Sequence, residues 1–324
     1  MGYVTVDHLA SGGMGELHVA KHVGESGVER LVVTKQLRLE LVEDERAALM
    51  LVDEARIAAS LYHRNLVQVY DVIVDSKHVM LVLEYFPSVN LAELLDAIDG
   101  PLPYAIACAI VIELAAALHY AHERTADDGT PLEIVHRDVS LPNVLVGDRG
   151  HIKLTDFGVA KARSRLYVTR SATIKGKLGY MAPEQIRGAG VDRRADVFAL
   201  GVVLFEATTG VPLFTAGSDY ETMRRIMEAE VPDPASLRAE FPPALAAAVR
   251  RAVANDPDDR FASAAELGAA VRAIATAEGW RATTTDIRAL VAKHTPPGTP
   301  PWRRSITAKS HAWSERTTGR WRDG

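Results

Sequence analysis

The chain has 324 residues, 48% apolar and 24% charged, which suits a sizeable core and excludes disorder throughout. That length exceeds one ordinary domain of about 100–200 residues and fits two packed lobes with an appendage. A net charge of −5 gives no basic footprint for nucleic acid, and a single cysteine, Cys108, excludes an intramolecular disulfide framework.

In chain order, Tyr3–Leu9 and Glu16–Lys21 read as strands flanking the glycine cluster Ser11-Gly12-Gly13-Met14-Gly15. Arg30–Leu37 is a β-branched strand, and Glu43–Leu61 a charged, Ala-rich helix. Val67–Val74 and His78–Glu84 form a hairpin closed at Asp75-Ser76-Lys77. Near residue 90 the apolar period changes from about 2 to about 3.6. Helices follow at Tyr104–His122, Ala195–Thr209, Ala244–Ala254 and Ala264–Ala275, with short strands near Val144–Val146 and His151–Leu154. The fold class is α+β in two lobes: a small antiparallel sheet with one main helix (about 1–86) and a larger, mostly helical lobe (about 87–275).

Residues 276–324 are a different material. They hold nine Lys/Arg against four Asp/Glu, so this segment carries +5 and the body −10, and all four tryptophans lie in it. One short helix, Asp286–Lys293 capped by Thr285, precedes the Pro296–Pro301 stop. The rest of the tail reads as unfolded on its own. Cys108, in the apolar run Ala105–Leu118, reads as a small core residue. Asp7 and His8 interrupt any leader, and Glu113 breaks the longest apolar run before the ~18–20 residues of a membrane span. The expectation is a soluble, cytoplasmic protein with no membrane span and no nucleic-acid partner.

The chemistry shows first at the glycines. A glycine-rich turn between two strands lets backbone N–H groups close over phosphate oxygens, although alone it reads more often as a structural hairpin. Lys35 ends the run Val32-Val33-Thr34, and Glu54 lies nineteen residues on in the helix. The specific signal is His136-Arg137-Asp138-Val139-Ser140-Leu141-Pro142-Asn143, followed thirteen residues later by Asp156-Phe157-Gly158. Ala182-Pro183-Glu184, Asp196 at the head of an apolar helix, and Arg260 complete the order.

With these blocks in this order, residues 3–275 resemble a bacterial member of the eukaryotic-like Ser/Thr protein kinase family. The resemblance implies the two-lobed kinase fold and a serine/threonine protein kinase that uses ATP and Mg²⁺, with Mn²⁺ as a substitute, on protein substrates. It places Gly12, Gly13 and Gly15 over the phosphates, Lys35 on the α/β-phosphates, and Glu54 as the partner of Lys35. The backbone of Glu84 and Phe86 would bind adenine beside Leu83, with Ala20 and Leu145 sandwiching the ring and Asn90 on the ribose side. Asp138 matches the base that orients the acceptor hydroxyl, and Asn143 and Asp156 the metal ligands. Such a reaction asks the protein for positioning and charge neutralisation, and a hard cation takes oxygen ligands. Asp196 and the pair Glu184–Arg260 match internal braces of the large lobe.

Three positions depart from the pattern. Ala10 replaces the first glycine, which matters only if φ is positive there. Ser140 replaces the lysine two residues after the catalytic aspartate, and Lys177 replaces a threonine before Ala182-Pro183-Glu184. Either Lys177 supplies the charge that Ser140 lacks, or it merely faces solvent. The segment 156–184 holds six basic residues against Asp156 and Glu184. Thr169, Ser171 and Thr173 are its candidate autophosphorylation sites, with Arg137 placed to receive the phosphate. A pseudokinase scaffold and a small-molecule kinase of the aminoglycoside type stand as alternatives. The basic tail could dock an acidic partner, an anionic membrane surface or the acidic body.

Overall fold

The computed structural model describes residues 2–12, 15–24, 27–38, 45–74, 78–157 and 177–295. The first lobe is a five-stranded antiparallel sheet in the order β1-β2-β3-β5-β4. Its strands are β1 (Gly2–Gly12), β2 (Gly15–Val23), β3 (Glu29–Arg38), β4 (Val69–Val74) and β5 (His78–Glu84). Helix α1 (Glu45–Ala59) covers one face. Alternation decides what each face holds, because successive side chains of a strand point to opposite sides. Val19, Val33, Leu81 and Leu83 pack with Ala55 and Ala58 of α1. Ala20, Val32 and Val82 form a separate cluster against Tyr3 on the other face. The turn 75–77 and the loop 39–44 lie outside the described residues.

The second lobe opens with a three-stranded sheet of β6 (Ser88–Asn90), β7 (Val144–Gly147) and β8 (Ile152–Leu154). Its described helices are α2 (Leu91–Ile98), α3 (Tyr104–His122), α4 (Pro183–Ile186), α5 (Arg194–Thr209), α6 (Asp219–Met227), α7 (Pro234–Leu237), α8 (Pro243–Ala252), α9 (Ala264–Ala277) and α10 (Thr284–His294). From Ala195 to Thr209 every residue of α5 is buried, as expected of a helix without a polar face. α3 runs between α5 and α9. Among the described residues it is the one helix long and apolar enough to cross a membrane. Here it is a core helix, with Ile110, Val111, Leu114 and Leu118 fully buried and Glu113 paired with Arg64 at 2.7 Å. Cys108 is buried in the same helix, and burial pushes its thiol up to about 12.

Two connections tie the lobes together. The hinge Tyr85–Pro87 joins β5 to β6. The segment after α1 crosses to β8, where Val67 N–H donates to Leu154 O at 2.9 Å and Leu154 N–H to Asn65 O at 2.8 Å. The side-chain amide of Asn65 adds a bond to Ile152 O at 2.8 Å. The strand that carries the lobe contact therefore also leads into Thr155 and Asp156.

The charge boundary at residue 276 is not a structural one. α9 continues to Ala277, Trp280 stacks on Tyr104 at 4.8 Å, and α10 buries Ile287 and Val291 in the large-lobe core. The basic residues Arg281, Arg288 and Lys293 are exposed, so the segment's net charge coexists with an inward apolar stripe at i, i+4. α10 also begins earlier than the sequence suggests. Thr283, not Thr285, is its N-cap, in a reciprocal box with Asp286 three residues on. Residues 296–324 lie outside the described residues.

Arg260 is the most enclosed cation of the large lobe's frame. Its Nη1 and Nη2 reach the two oxygens of Glu184 at 2.8 Å each, and the remaining donors go to the carbonyls of Ala254, Arg194 and Asn255. Removing one member strands the other without solvent. Arg260→Leu is expected to lower unfolding free energy by about 3–5 kcal/mol, read as a lower urea midpoint. An unchanged midpoint would show that the pair contributes nothing.

Candidate active site

The site is assembled on Asp196, a carboxylate with no solvent exposure in the first turn of α5. It accepts from the backbone N–H of His136 at 2.7 Å, the N–H of Arg137 at 2.8 Å and the ring of His122 at 2.8 Å. Burial pushes this carboxyl up, but the His122 hydrogen bond and charge and the donors at residue 136 outweigh it, leaving it below its ordinary value. The anchored loop is bent sharply: Arg137 has φ +64°, a left-handed conformation that a side chain disfavours by about 1–2 kcal/mol. Gln185 Nε2 donates to the Arg137 carbonyl at 3.3 Å, so the bend is held from both sides.

His136 passes that anchoring on. Its Nδ1 accepts the Asp138 N–H at 3.2 Å, which requires the proton to sit on Nε2, and Nε2–H donates to Thr155 O at 3.1 Å. Phe157 meets the ring edge-on at 4.6 Å. Asn143 Nδ2 donates to Asp138 O at 2.6 Å, and Asn143 O accepts from Thr155 N–H at 3.0 Å. One hydrogen-bonded frame thus fixes Asp138, Asn143 and the residue before Asp156. Asp156 itself has φ +65°. Because the Asn143 amide nitrogen is spent on Asp138 O, its oxygen is the atom left to ligate. With the Asp156 carboxylate this gives an all-oxygen pair suited to a hard divalent cation that keeps other oxygen ligands.

Two ammonium groups enter the same cleft. Lys35 Nζ, from β3, lies 2.6 Å from Asp156 Oδ1. Lys177 Nζ lies 2.6 Å from Asp138 Oδ2. Lys177 therefore does not simply face solvent. Ser140, by contrast, is fully buried, with its hydroxyl 3.5 Å from Asp138 O. Glu54 is buried on α1 and stands on the side of the sheet that α1 covers.

The register of the sheet corrects one residue of the expected adenine site. Lys35 pairs across to Leu17 and Leu81, and Val33 to Val19 and Leu83, so these share a face. Ala20 pairs with Val32 and packs under Tyr3, on the opposite face, and cannot cover a ring in the cleft. Leu17 and Val33 are among the apolar residues that the sheet offers on the Lys35 side, alongside Val19, Leu81 and Leu83. Counting back in twos from Lys35 would have found Val33. Leu145 sits on β7, opposite Asn90 of β6. Asn90 itself is the N-cap of α2, its Oδ1 accepting from Glu93 N–H at 2.9 Å. The Glu84 side chain pairs with Lys153 at 2.9 Å, while the Phe86 carbonyl accepts from Ser88 Oγ at 2.9 Å. Gly12 and Gly15 close the β1–β2 hairpin as a register pair, and Ala10, opposite Leu17, is not at positive φ, so the alanine is unstrained. Gly13, Thr169, Ser171 and Thr173 lie outside the described residues.

Comparison with known proteins follows the same outline. A family profile described as protein kinase domain matches residues 3–269. The tyrosine-protein kinase MasK of Myxococcus xanthus is 40% identical over 265 residues, covering 81% of this chain and 41% of that protein. The serine/threonine-protein kinase PknB of Mycolicibacterium smegmatis is 34% identical, again over 81% and 41%. The chain thus spans about two-fifths of the length of these curated relatives. The crystal structure of the PknI kinase domain of Mycobacterium tuberculosis superposes with a TM-score of 0.65 at 27% identity, covering 84% of this chain and 95% of that one.

The buried His136 makes the frame sensitive to acid. Burial holds its pKa below the ordinary 6.5, so as pH falls the unfolded chain takes up the proton first. Stability is present above that ordinary value and is lost as pH falls through the depressed native one. The urea midpoint is expected to fall as pH drops below about 6.5, with a shallower fall in His136→Gln, because among the described histidines His63 is the other whose pKa burial lowers. Equal slopes in the two proteins would remove His136 from the account.

Proposed function

Because this chain belongs to the protein kinase domain family, we propose that it is a serine/threonine protein kinase, transferring the γ-phosphoryl group of ATP to hydroxyls of protein substrates. The observation that carries this reading is the meeting of Asp138, Asn143 and Asp156 in one hydrogen-bonded frame, with an ammonium group 2.6 Å from each carboxylate. ATP supplies the phosphoryl group, and Mg²⁺ would be held by the Asn143 amide oxygen and the Asp156 carboxylate. Lys35 neutralises phosphate oxygens from the sheet side. Glu54 is the carboxylate proposed to hold Lys35 when Asp156 turns to the metal. Asp138 orients the acceptor hydroxyl and takes its proton. Leu17, Val33 and Leu145 enclose the adenine, whose polar edge meets the backbone of Glu84 and Phe86, and Gly12, Gly13 and Gly15 cover the phosphates.

Lys177 is proposed as the cation that Ser140 cannot be. An ammonium near 4 Å from a phosphoryl oxygen contributes about 1–4 kcal/mol at the dielectric of a partly open cleft, or about tenfold to a thousandfold in rate. Serine and threonine are the proposed acceptors, as in the name of PknB. The tyrosine in the name of MasK makes phosphoamino-acid analysis part of the test. We further propose activation-segment autophosphorylation at Thr169, Ser171 or Thr173, docking on Arg137, a cytoplasmic location where ATP is abundant, and contact of the basic tail with the −10 body. No observation favours the scaffold alternative.

Incubation with labelled Mg-ATP is expected to phosphorylate the protein and a basic acceptor protein on serine or threonine, with loss of the signal in Asp156→Ala. Lys177→Met is expected to lose about 10- to 1,000-fold in turnover while still binding Mg-ATP. Adding Ser140→Lys to that variant should restore part of the loss, since it returns the charge without restoring the tether to Asp138. Turnover near wild type in Lys177→Met would sink the charge assignment. ATP binding by the wild type without any transfer would sink the kinase reading. Mass spectrometry of active protein that finds 158–176 unmodified would refute the autophosphorylation sites.

A further inference from the structure

The match to the family ends at residue 269, yet the chain beyond it packs behind β7, the strand that bears Leu145. α10 packs on α2 and on β7. Its first turn backs onto the β7–β8 turn. Gly150 there has φ +82°, and a Cβ on it would overlap the carbonyl of Thr284. The other side of the same turn rests on the hinge. A Cβ on Gly147 would come 2.6 Å from the Phe86 ring, and Asp148 N–H donates to Pro87 O at 3.0 Å. The turn is therefore wedged between Phe86 and Thr284, with space for hydrogen only on both flanks. At the far end of α10, His294 Nδ1 lies 3.3 Å from Ala97 O near the end of α2, the helix that begins immediately after Asn90.

We infer that α10 is a positioning element for the nucleotide. It presses the strand bearing Leu145 against the hinge from outside and holds α2 at its other end, so Thr284, Ile287 and Val291 set nucleotide affinity without reaching the cleft. The physical basis is preorganisation: a floor held from behind has less freedom to lose when a ring settles on it. The inference rests on the nucleotide-binding part of the kinase reading, and it assigns a binding role to a segment outside the family match.

The test is calorimetric titration of the full chain with Mg-ADP, which needs no turnover. Two variants loosen α10 by different routes. Ile287→Ala/Val291→Ala removes its buried stripe, and Thr283→Ala/Asp286→Ala removes both halves of its cap while leaving the core intact. Amide hydrogen exchange over 284–294 reports the loosening in each. Expected is an ADP Kd raised about tenfold, a parallel rise in KM for ATP, and kcat and acceptor KM as in wild type. An unchanged ADP Kd in a folded variant with a loosened helix overturns the inference, as does a fall in kcat at constant Kd. A wild type that does not bind Mg-ADP overturns the kinase reading and this inference with it.

Discussion

A single buried carboxylate organises the catalytic half of this molecule. Asp196 is shut off from solvent, so its charge is tolerable only because three donors meet it, and two of them are consecutive backbone amides of the Asp138 loop. Those amides can both point inward only if the chain turns sharply at Arg137, which is where a left-handed residue is found. The loop's shape is thus a consequence of satisfying α5. From there the order propagates through His136, whose two ring nitrogens hold the Asp138 amide and the Thr155 carbonyl. Asp138 and Asp156 keep their relation because one imidazole spans them.

The cleft collects charge of both signs around that frame. Lys35 comes from the small lobe and Lys177 from the segment before α4, so neither cation belongs to the Asp138 loop itself. A lysine fixed at position 140 would instead be rigid with the loop. Ser140 is buried, and its small side chain leaves the space beside Asp138 to Lys177.

The C-terminal region shows why composition alone misassigned part of the chain. Its net positive charge and tryptophans set it apart from the body, but charge describes the solvent face and says nothing of the buried one. Trp280 stacks on Tyr104, whose other face carries the Arg238 guanidinium at 3.6 Å, and α10 adds Ile287 and Val291 to the large-lobe core. The cap at Thr283 was legible as a threonine followed by an acid three residues on.

Most of the fold and the site chemistry could be read from the residues. Strand alternation, the long apolar runs of α3 and α5, the 3.6-residue period of α9, and the blocks around Asp138, Asn143 and Asp156 are local patterns, and local patterns survive in a linear string. What the string could not decide was which side of a sheet or which neighbour a residue meets. Ala20 was assigned to the cleft although the register turns it away, and Leu17 and Val33 were missed although the same register turns them in. The sequence left Lys177 with two readings, a charge beside Asp138 or a solvent-facing side chain; its ion pair with Asp138, thirty-nine positions away, needed the packed lobe. By itself the sequence determined the elements and the reactive groups, because those depend on neighbours a few residues apart. Only the tertiary structure decided their faces and partners, because a one-residue difference in register reverses a side chain and long-range contacts leave no local trace.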